Sequence, residues 1–353
     1  MSFFVIGYYS SLIGASSLAA FFNKRDVFIL LFSLTLFSFV VGIVGGTGAL
    51  QFIAGCAALL ALIVGVSYSF REFLTIILRG EMGSIIRTAP LTASFGMFVI
   101  CVYAIMGIFA PIIAPFGESE VITQAFAPAD EKMLLGADQL GRDMFSRIVY
   151  GARNTVGLAL IATILAFVIG ALAGLFAATK GGWFDQFMGR FADVIMSVPS
   201  LIFALLMLSI FGTNMTVIII IVAVIYSPRV FRLTRAVAGN VVVMDFIEAA
   251  KLRGEGTWYL IRKEILPNCT SPLIAEFGLE FCFVFLLIAG LSFLGLGIQP
   301  PTADWGSMVR ENATLISFGD ITPLIPAGAI ALLTVAVNFV VDWMLFRSTG
   351  LKD

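Results

Sequence analysis

Two sets of side chains in this sequence have the residue types and spacing that chemistry uses. Asp138, Arg142, Asp143 and Arg147 bring two acids and two bases into one short stretch. An active site would need a nucleophile or a metal set beside them, and neither is present. The expectation is therefore a charged outer helix or loop that contacts other proteins. Glu276 and Glu280 are one helical turn apart and share a face. Carboxylates inside an apolar stretch either line a polar path or sit near the interface with their heads in water, and both readings stay open. Asn338 and Asp342 repeat the spacing, and Asp342 beside Trp343 and Arg347 marks an interface. Histidine is absent, which removes the commonest metal ligand and general base. The dipeptide Gly-Lys never occurs, so no P-loop holds a nucleotide. Cys56, Cys101, Cys269 and Cys282 form no C-x-x-C pair and read as small apolar filler. No catalytic residue, cofactor-binding residue or metal site is expected on this chain.

A third stretch is built for docking. Met244–Asn268 reads as two short helices with a break. The first runs to Arg253, where Gly254 and Gly256 end it. Thr257 caps a second helix that carries Trp258, Ile261 and Ile265 on one face, and Pro267 stops it. Small Ala249 and Ala250 beside Glu248 let a partner surface come close. An amphipathic helix held out in this way needs a groove for its apolar face.

The elements that position these residues are membrane spans. Of 353 residues, 60% are apolar and 12% charged, against about half and a quarter in soluble domains. Lipid must cover much of the surface. A net charge of −1 gives no field for nucleic acid. Apolar runs long enough to span, or nearly so, are Phe3–Phe22, Val27–Val44, Phe52–Phe70, Leu91–Ile113, Val156–Ala178, Val198–Phe211, Met215–Tyr226, Leu273–Leu294 and Leu324–Phe346. Phe3–Phe22 has no preceding Lys or Arg and reads as a retained helix. Gly212-Thr213-Asn214 separates two short runs by a turn. With Lys24 and Arg25 placed in the cytoplasm, alternation puts sixteen of the 21 Lys and Arg inside. The N-terminus is then outside and the C-terminus cytoplasmic. Arg71–Arg87 carries Phe73, Leu74, Ile77 and Leu78 at helical spacing, as an amphipathic helix on the inner membrane surface would; a simple charged loop is the alternative. Gly42-x-x-x-Gly46 and Gly170-x-x-x-Gly174 read as close-packing seams.

Glu248-Ala249-Ala250, three residues, Gly254, then Ile265-Leu266-Pro267 resembles the EAA loop of ABC importer permeases. Leu135–Arg153, Gly181–Asp185 with Asp193 and Pro199, and Leu291–Pro301 with Asp304-Trp305-Gly306 resemble, in order, signatures of the C-type permeases of the dipeptide/oligopeptide/nickel family. The resemblance covers about Leu91 to Phe346. It implies an all-α polytopic membrane protein, a six-helix type I ABC importer permease core with about three extra N-terminal transmembrane helices. The implied organisation is 1–70 as the N-terminal extension, 71–88 as an amphipathic segment and 89–348 as the core, with a periplasmic loop at 115–153 and a coupling loop at 229–271. Glu248, Ala249, Ala250, Gly254, Ile265, Leu266 and Pro267 would dock the ATPase. Glu276, Glu280, Ser292 and Asn338 are candidates for the translocation path.

The partners implied are a second, B-type permease, two ABC ATPase subunits that bind ATP and Mg, an extracytoplasmic substrate-binding protein and membrane lipid, in the cell inner membrane. The solute implied is a di- or oligopeptide or a related small molecule. Two departures stand out. Glu264 replaces an apolar residue common in importers, and Ile288 stands where many relatives carry a glutamate. The rival reading, a secondary transporter driven by an ion gradient, predicts an internal repeat with matched intramembrane carboxylates, and no such repeat is seen.

Overall fold

The computed structural model describes residues 3–21, 25–78 and 80–348. They fall into two compact units, Met1–Leu91 and Thr92–Asp353. No strand forms among the described residues, only isolated bridges near Arg142 and Asp143.

In the first unit, α1 (Phe3–Phe21) packs on α2 (Arg25–Ile77) through Tyr8, Leu12 and Ala54, and the Tyr8 hydroxyl meets Ser38 Oγ at 2.7 Å. The helices expected at Val27–Val44 and Phe52–Phe70 are joined into one helix of 53 residues. Gly45, Gly46 and Gly48 do not break it, because a helical glycine costs only about 1 kcal/mol and no proline intervenes. What packs on Gly42 and Gly46 lies outside the described residues, as do Phe22, Lys24, Arg79 and Lys352. The single surface helix expected over 71–88 is instead divided. Arg71–Ile77 continues α2, Gly80 turns the chain at φ 85°, and α3 (Glu81–Arg87) follows.

The second unit opens with α4 (Leu91–Ile108) and the short α5 (Ala110–Ile113). An irregular stretch leads into α6 (Met144–Gly151), which passes through a π-turn at Ala152–Val156 into α7 (Gly157–Lys180). Arg147 and Arg153, expected in a loop, are therefore helical. α8 (Gly182–Met196) and α9 (Ser200–Phe211) are bent by 86°. At twelve residues α9 is too short to span alone. α10 (Met215–Val242) runs far beyond the expected end at Tyr226 and carries Pro228 inside.

The remaining elements are α11 (Asp245–Leu252), α12 (Thr257–Tyr259), a π-turn at Leu260–Ile265, α13 (Leu266–Phe293), α14 (Trp305–Asn312), a 3₁₀ turn at Ala313–Phe318 and α15 (Leu324–Ser348). Pro267 does not stop the second helix as expected. It sits in the first turn of α13, and the π-turn before it widens the helix where proline offers no N–H. Most of 229–271, expected as a loop, is thus helical.

Among the described residues six helices are long and apolar enough to cross a membrane, or seven if the bent α8–α9 pair counts as one span. α7 and α10 pack closely because a Cβ at Gly170 would strike the Ser227 carbonyl oxygen, and one at Gly174 would lie 2.8 Å from that of Phe231. The Gly170 seam is therefore internal to the chain. α13 is the central element. Phe285, Ile288 and Leu291 near its C-terminus pack with Met144 and Trp305, and Cys269 and Leu273 near its start pack with Ile247, Ile261 and Ile265. These are called below the Trp305 end and the Ile265 end.

Candidate functional site

At the Ile265 end, α11 forms as the sequence leads one to expect and ends in a Schellman cap. The Gly254 N–H donates to the Lys251 carbonyl at 2.9 Å, and the Glu255 N–H to the Ala250 carbonyl at 3.2 Å. Gly254 adopts φ 82°, which a residue with a Cβ resists. The spacing from Glu248 to Gly254 is thus the length of the helix plus its left-handed stop. Ile247 and Ala250 are fully buried against Leu260, Ile261 and Ile265. Trp258 stacks on Phe176 of α7 at 6.0 Å. The opposite face stays open, with Val243 81% and Leu252 84% exposed and Phe246 and Ala249 beside them.

The seven docking candidates divide accordingly. Glu248, Ala249, Gly254, Leu266 and Pro267 lie at the surface, while Ala250 and Ile265 face the chain's own core. Ala250 and Ile265 hold α11 on the packed cluster beneath it and do not offer a contact. Glu264 has a partner in Arg253 at 3.8 Å, which ties the end of α11 to the following helix.

The Trp305 end is organised differently. Arg142 Nε donates to Asp138 Oδ2 at 2.7 Å and its Nη2 to Glu311 Oε2 at 3.1 Å. Arg147 approaches the same two carboxylates at 3.3 and 3.5 Å and donates to the Glu118 carbonyl at 3.1 Å. Asp143 caps α6, accepting from Ser146 N–H at 2.8 Å. Asp304 caps α14, accepting from Ser307 N–H and the Thr155 hydroxyl, each at 2.8 Å. Burial pushes the Asp304 carboxyl up from its ordinary range, and the bonds from Ser307 and Thr155 pull the other way. Trp305 donates from its ring nitrogen to the Ile148 carbonyl at 3.0 Å, and a Cβ at Gly151 would strike its indole.

Asp138, Arg142, Asp143 and Arg147 are all at most 2% exposed. The expected contact surface for other proteins is therefore a buried clamp that joins the Leu135–Arg153 signature to the Asp304-Trp305-Gly306 signature. Glu118 and Glu311 were missed. Glu311 lies 169 residues from Arg142, and nothing in local spacing connects them. The Asp185 of the Gly181–Asp185 signature pairs with Arg235 of α10.

The four candidates for a translocation path do not converge. Glu280 is 2% exposed, and its Oε2 has no hydrogen-bond partner. Glu276 is half-buried one turn away. Arg229 lies over the rings of Tyr226 and Phe283 at 5.4 and 5.2 Å, and among the described residues no ion pair joins it to either glutamate. Ser292 is about 18 Å further along α13, where its hydroxyl accepts from the Ile298 N–H at 3.2 Å. Asn338 donates to the Thr334 carbonyl of its own helix at 3.0 Å.

Residues 166–347 match the family described as binding-protein-dependent transport system inner membrane component. The chain is 32% identical over 265 residues to the di/tripeptide transport system permease protein DppC of Pseudomonas aeruginosa (strain UCBPP-PA14), an alignment that covers 73% of this chain and 85% of the relative. It is equally 32% identical, over 268 residues, to the dipeptide transport system permease protein DppC of Haemophilus influenzae, with 74% and 88% covered. A solved structure of the MetNI methionine ABC transporter in inward-facing conformations is 17% identical with a TM-score of 0.49, over 59% of this chain and 98% of that one.

Proposed function

Because the chain belongs to the binding-protein-dependent inner membrane components, as a type I ABC importer permease of the C-type peptide family, we propose that α11 is the element through which partner ATPases drive it. It is a multi-pass transport component of the inner membrane. The reading rests above all on one observation: α11 is anchored on one face by Ile247 and Ala250 and bare on the other. A force on the bare face passes into α10 and α13 through the packed cluster beneath, without first bending a loop. Two ATPase subunits would bind ATP and Mg, close, and carry two such helices with them, so that this chain and a B-type permease alternate between inward-open and outward-open states.

The solute is a di- or oligopeptide or a related small molecule, delivered by an extracytoplasmic binding protein. The N-terminus lies outside and the C-terminus in the cytoplasm, so α11 faces the ATPases. On α8, Trp183, Phe187, Phe191 and Val194 form an exposed apolar stripe that a second permease would cover. Glu276 and Glu280 are the retained candidates for the path. Ser292 is better read as holding the turn after α13.

The test is co-purification from native membranes in mild detergent, comparing the natural chain with Gly254→Asp. The natural chain should bring a P-loop ATPase and a second permease, and the variant should keep the permease and lose the ATPase. A chain that emerges alone or as a homodimer in both cases would sink the coupling assignment.

A further inference from the structure

The second unit carries a long apolar groove of about 780 Å³, walled by α4, α7, α13 and α15. Its lining includes the small residues Ala104, Gly107, Gly157 and Gly278. Along α15 it extends from Leu333 to Met344, about 16 Å at 1.5 Å per residue. On the antiparallel α4 it continues from Ile100 to Ile108. This part lies beyond the Leu333 end, because Gly96 packs at Ala336 and Tyr103 at Ala329. The groove therefore runs through most of a hydrocarbon core about 30 Å thick. Of the lining residues one is charged, Arg153, in the π-turn between α6 and α7 beside Ile108 and Pro111. Tyr103 adds a hydroxyl, which donates to the Ala329 carbonyl at 3.3 Å. Arg153 is exposed, and no ion pair holds it among the described residues. The nearby Glu118 carboxylate instead takes Asn154 and the Ala303 N–H, each at 2.9 Å.

We propose that this groove holds one acyl chain of an anionic phospholipid whose phosphate lies against Arg153. A water-filled path would carry polar groups along its length, and this groove has a cation without an ion pair at one end and, apart from the Tyr103 hydroxyl, hydrocarbon elsewhere. A guanidinium at the mouth of a long apolar slot matches the two parts of a phospholipid, a charged head and a chain. The π-turn is what puts the cation there, since the extra residue in the turn shifts Arg153 relative to a straight helix. Gly157 deepens the slot one turn below, where an added Cβ would meet nothing within 4 Å. The inference uses only the chain's place in the membrane, and it stands or falls separately from the ATPase and solute assignments.

Native mass spectrometry of the intact transporter complex, released from nanodiscs of equal parts phosphatidylcholine and phosphatidylglycerol, tests it. The natural complex should retain phosphatidylglycerol preferentially. Arg153→Gln should reduce that preference about fivefold, the size of one cation's attraction to an anionic lipid surface. Gly157→Phe should fill the slot and remove the bound lipid of either kind. Retention unchanged in both variants, or equal retention of the two lipids by the natural complex, would overturn the proposal. A photo-crosslinker at Val340 of the otherwise natural chain gives a reading that does not depend on those variants folding. Capture of a phospholipid supports the inference. Capture of the second permease, or of this chain's own N-terminal unit, refutes it.

Discussion

The two ends of α13 use opposite physics. At the Trp305 end, charge is buried: Asp138, Arg142, Arg147 and Glu311 pair with one another out of water, with Arg147 Nε left without a hydrogen bond. At the Ile265 end, apolar surface is exposed: among the described residues Val243 and Leu252 are almost bare and Phe246 is partly so. Buried charges carry a desolvation cost that geometry must repay, so they specify one arrangement and resist change. Exposed apolar side chains on a capped helix cost little to hold in place and gain only when something covers them. One end is complete among the described residues and the other leaves apolar surface bare, as the proposed coupling role of α11 requires.

The largest effect should come from breaking the complete end. Asp138→Ala leaves two buried guanidiniums sharing the single carboxylate of Glu311 and should cost about 3–5 kcal/mol. It would be read as a large fall in thermal stability of the purified complex by size-exclusion survival. A small fall would mean that the clamp is solvated in the membrane and that the two ends are alike. Gly151→Ala pushes a methyl into the Trp305 indole and should cost about 1–3 kcal/mol by overpacking in the same assay.

At the Ile265 end the expected pattern inverts. Gly254→Asp strains a left-handed cap by about 1–2 kcal/mol, so the chain should still fold and reach the membrane while solute-stimulated ATP hydrolysis by the complex is lost. Leu252→Ser, at a side chain that is almost bare, should leave chain stability within about 0.5 kcal/mol and weaken retention of the ATPase. If it destabilised the chain as Asp138→Ala does, the surface would belong to the core. Smallest of all is Arg253→Ala, which removes a half-exposed ion pair to Glu264 and should change stability by under about 1 kcal/mol. A greater loss would show that the tie, rather than the packed cluster, holds α11 in place.

Legibility followed the range of the interactions. α11 and its stop at Gly254 were readable because a Schellman cap lies within a few residues and needs glycine at one place. Pro267 misled because a proline is a stop only in a regular helix, and the π-turn at Leu260–Ile265 removes the conflict. α10 was read too short because Arg229, Arg232 and Arg235 resemble a loop. On the folded chain Arg229 covers aromatic rings, while Arg232 and Arg235 pair with Asp193 and Asp185 of α8. The acid–base stretch at Asp138–Arg147 was assigned to a surface because charges usually are, and its burial depends on Glu311 from a distant helix.

By itself, then, the sequence determined that the chain lives in lipid, which apolar runs are helical though not where each helix ends, and that the stretch after Met244 forms a short helix stopped at Gly254. Hydropathy, caps and spacing are local, and a membrane removes most alternatives to helix. Only the tertiary structure decided which face of α11 is free, that Ala250 and Ile265 point inward, and that the charged signature is a clamp. Those outcomes depend on which helices meet, and burial is a property of the meeting rather than of either partner.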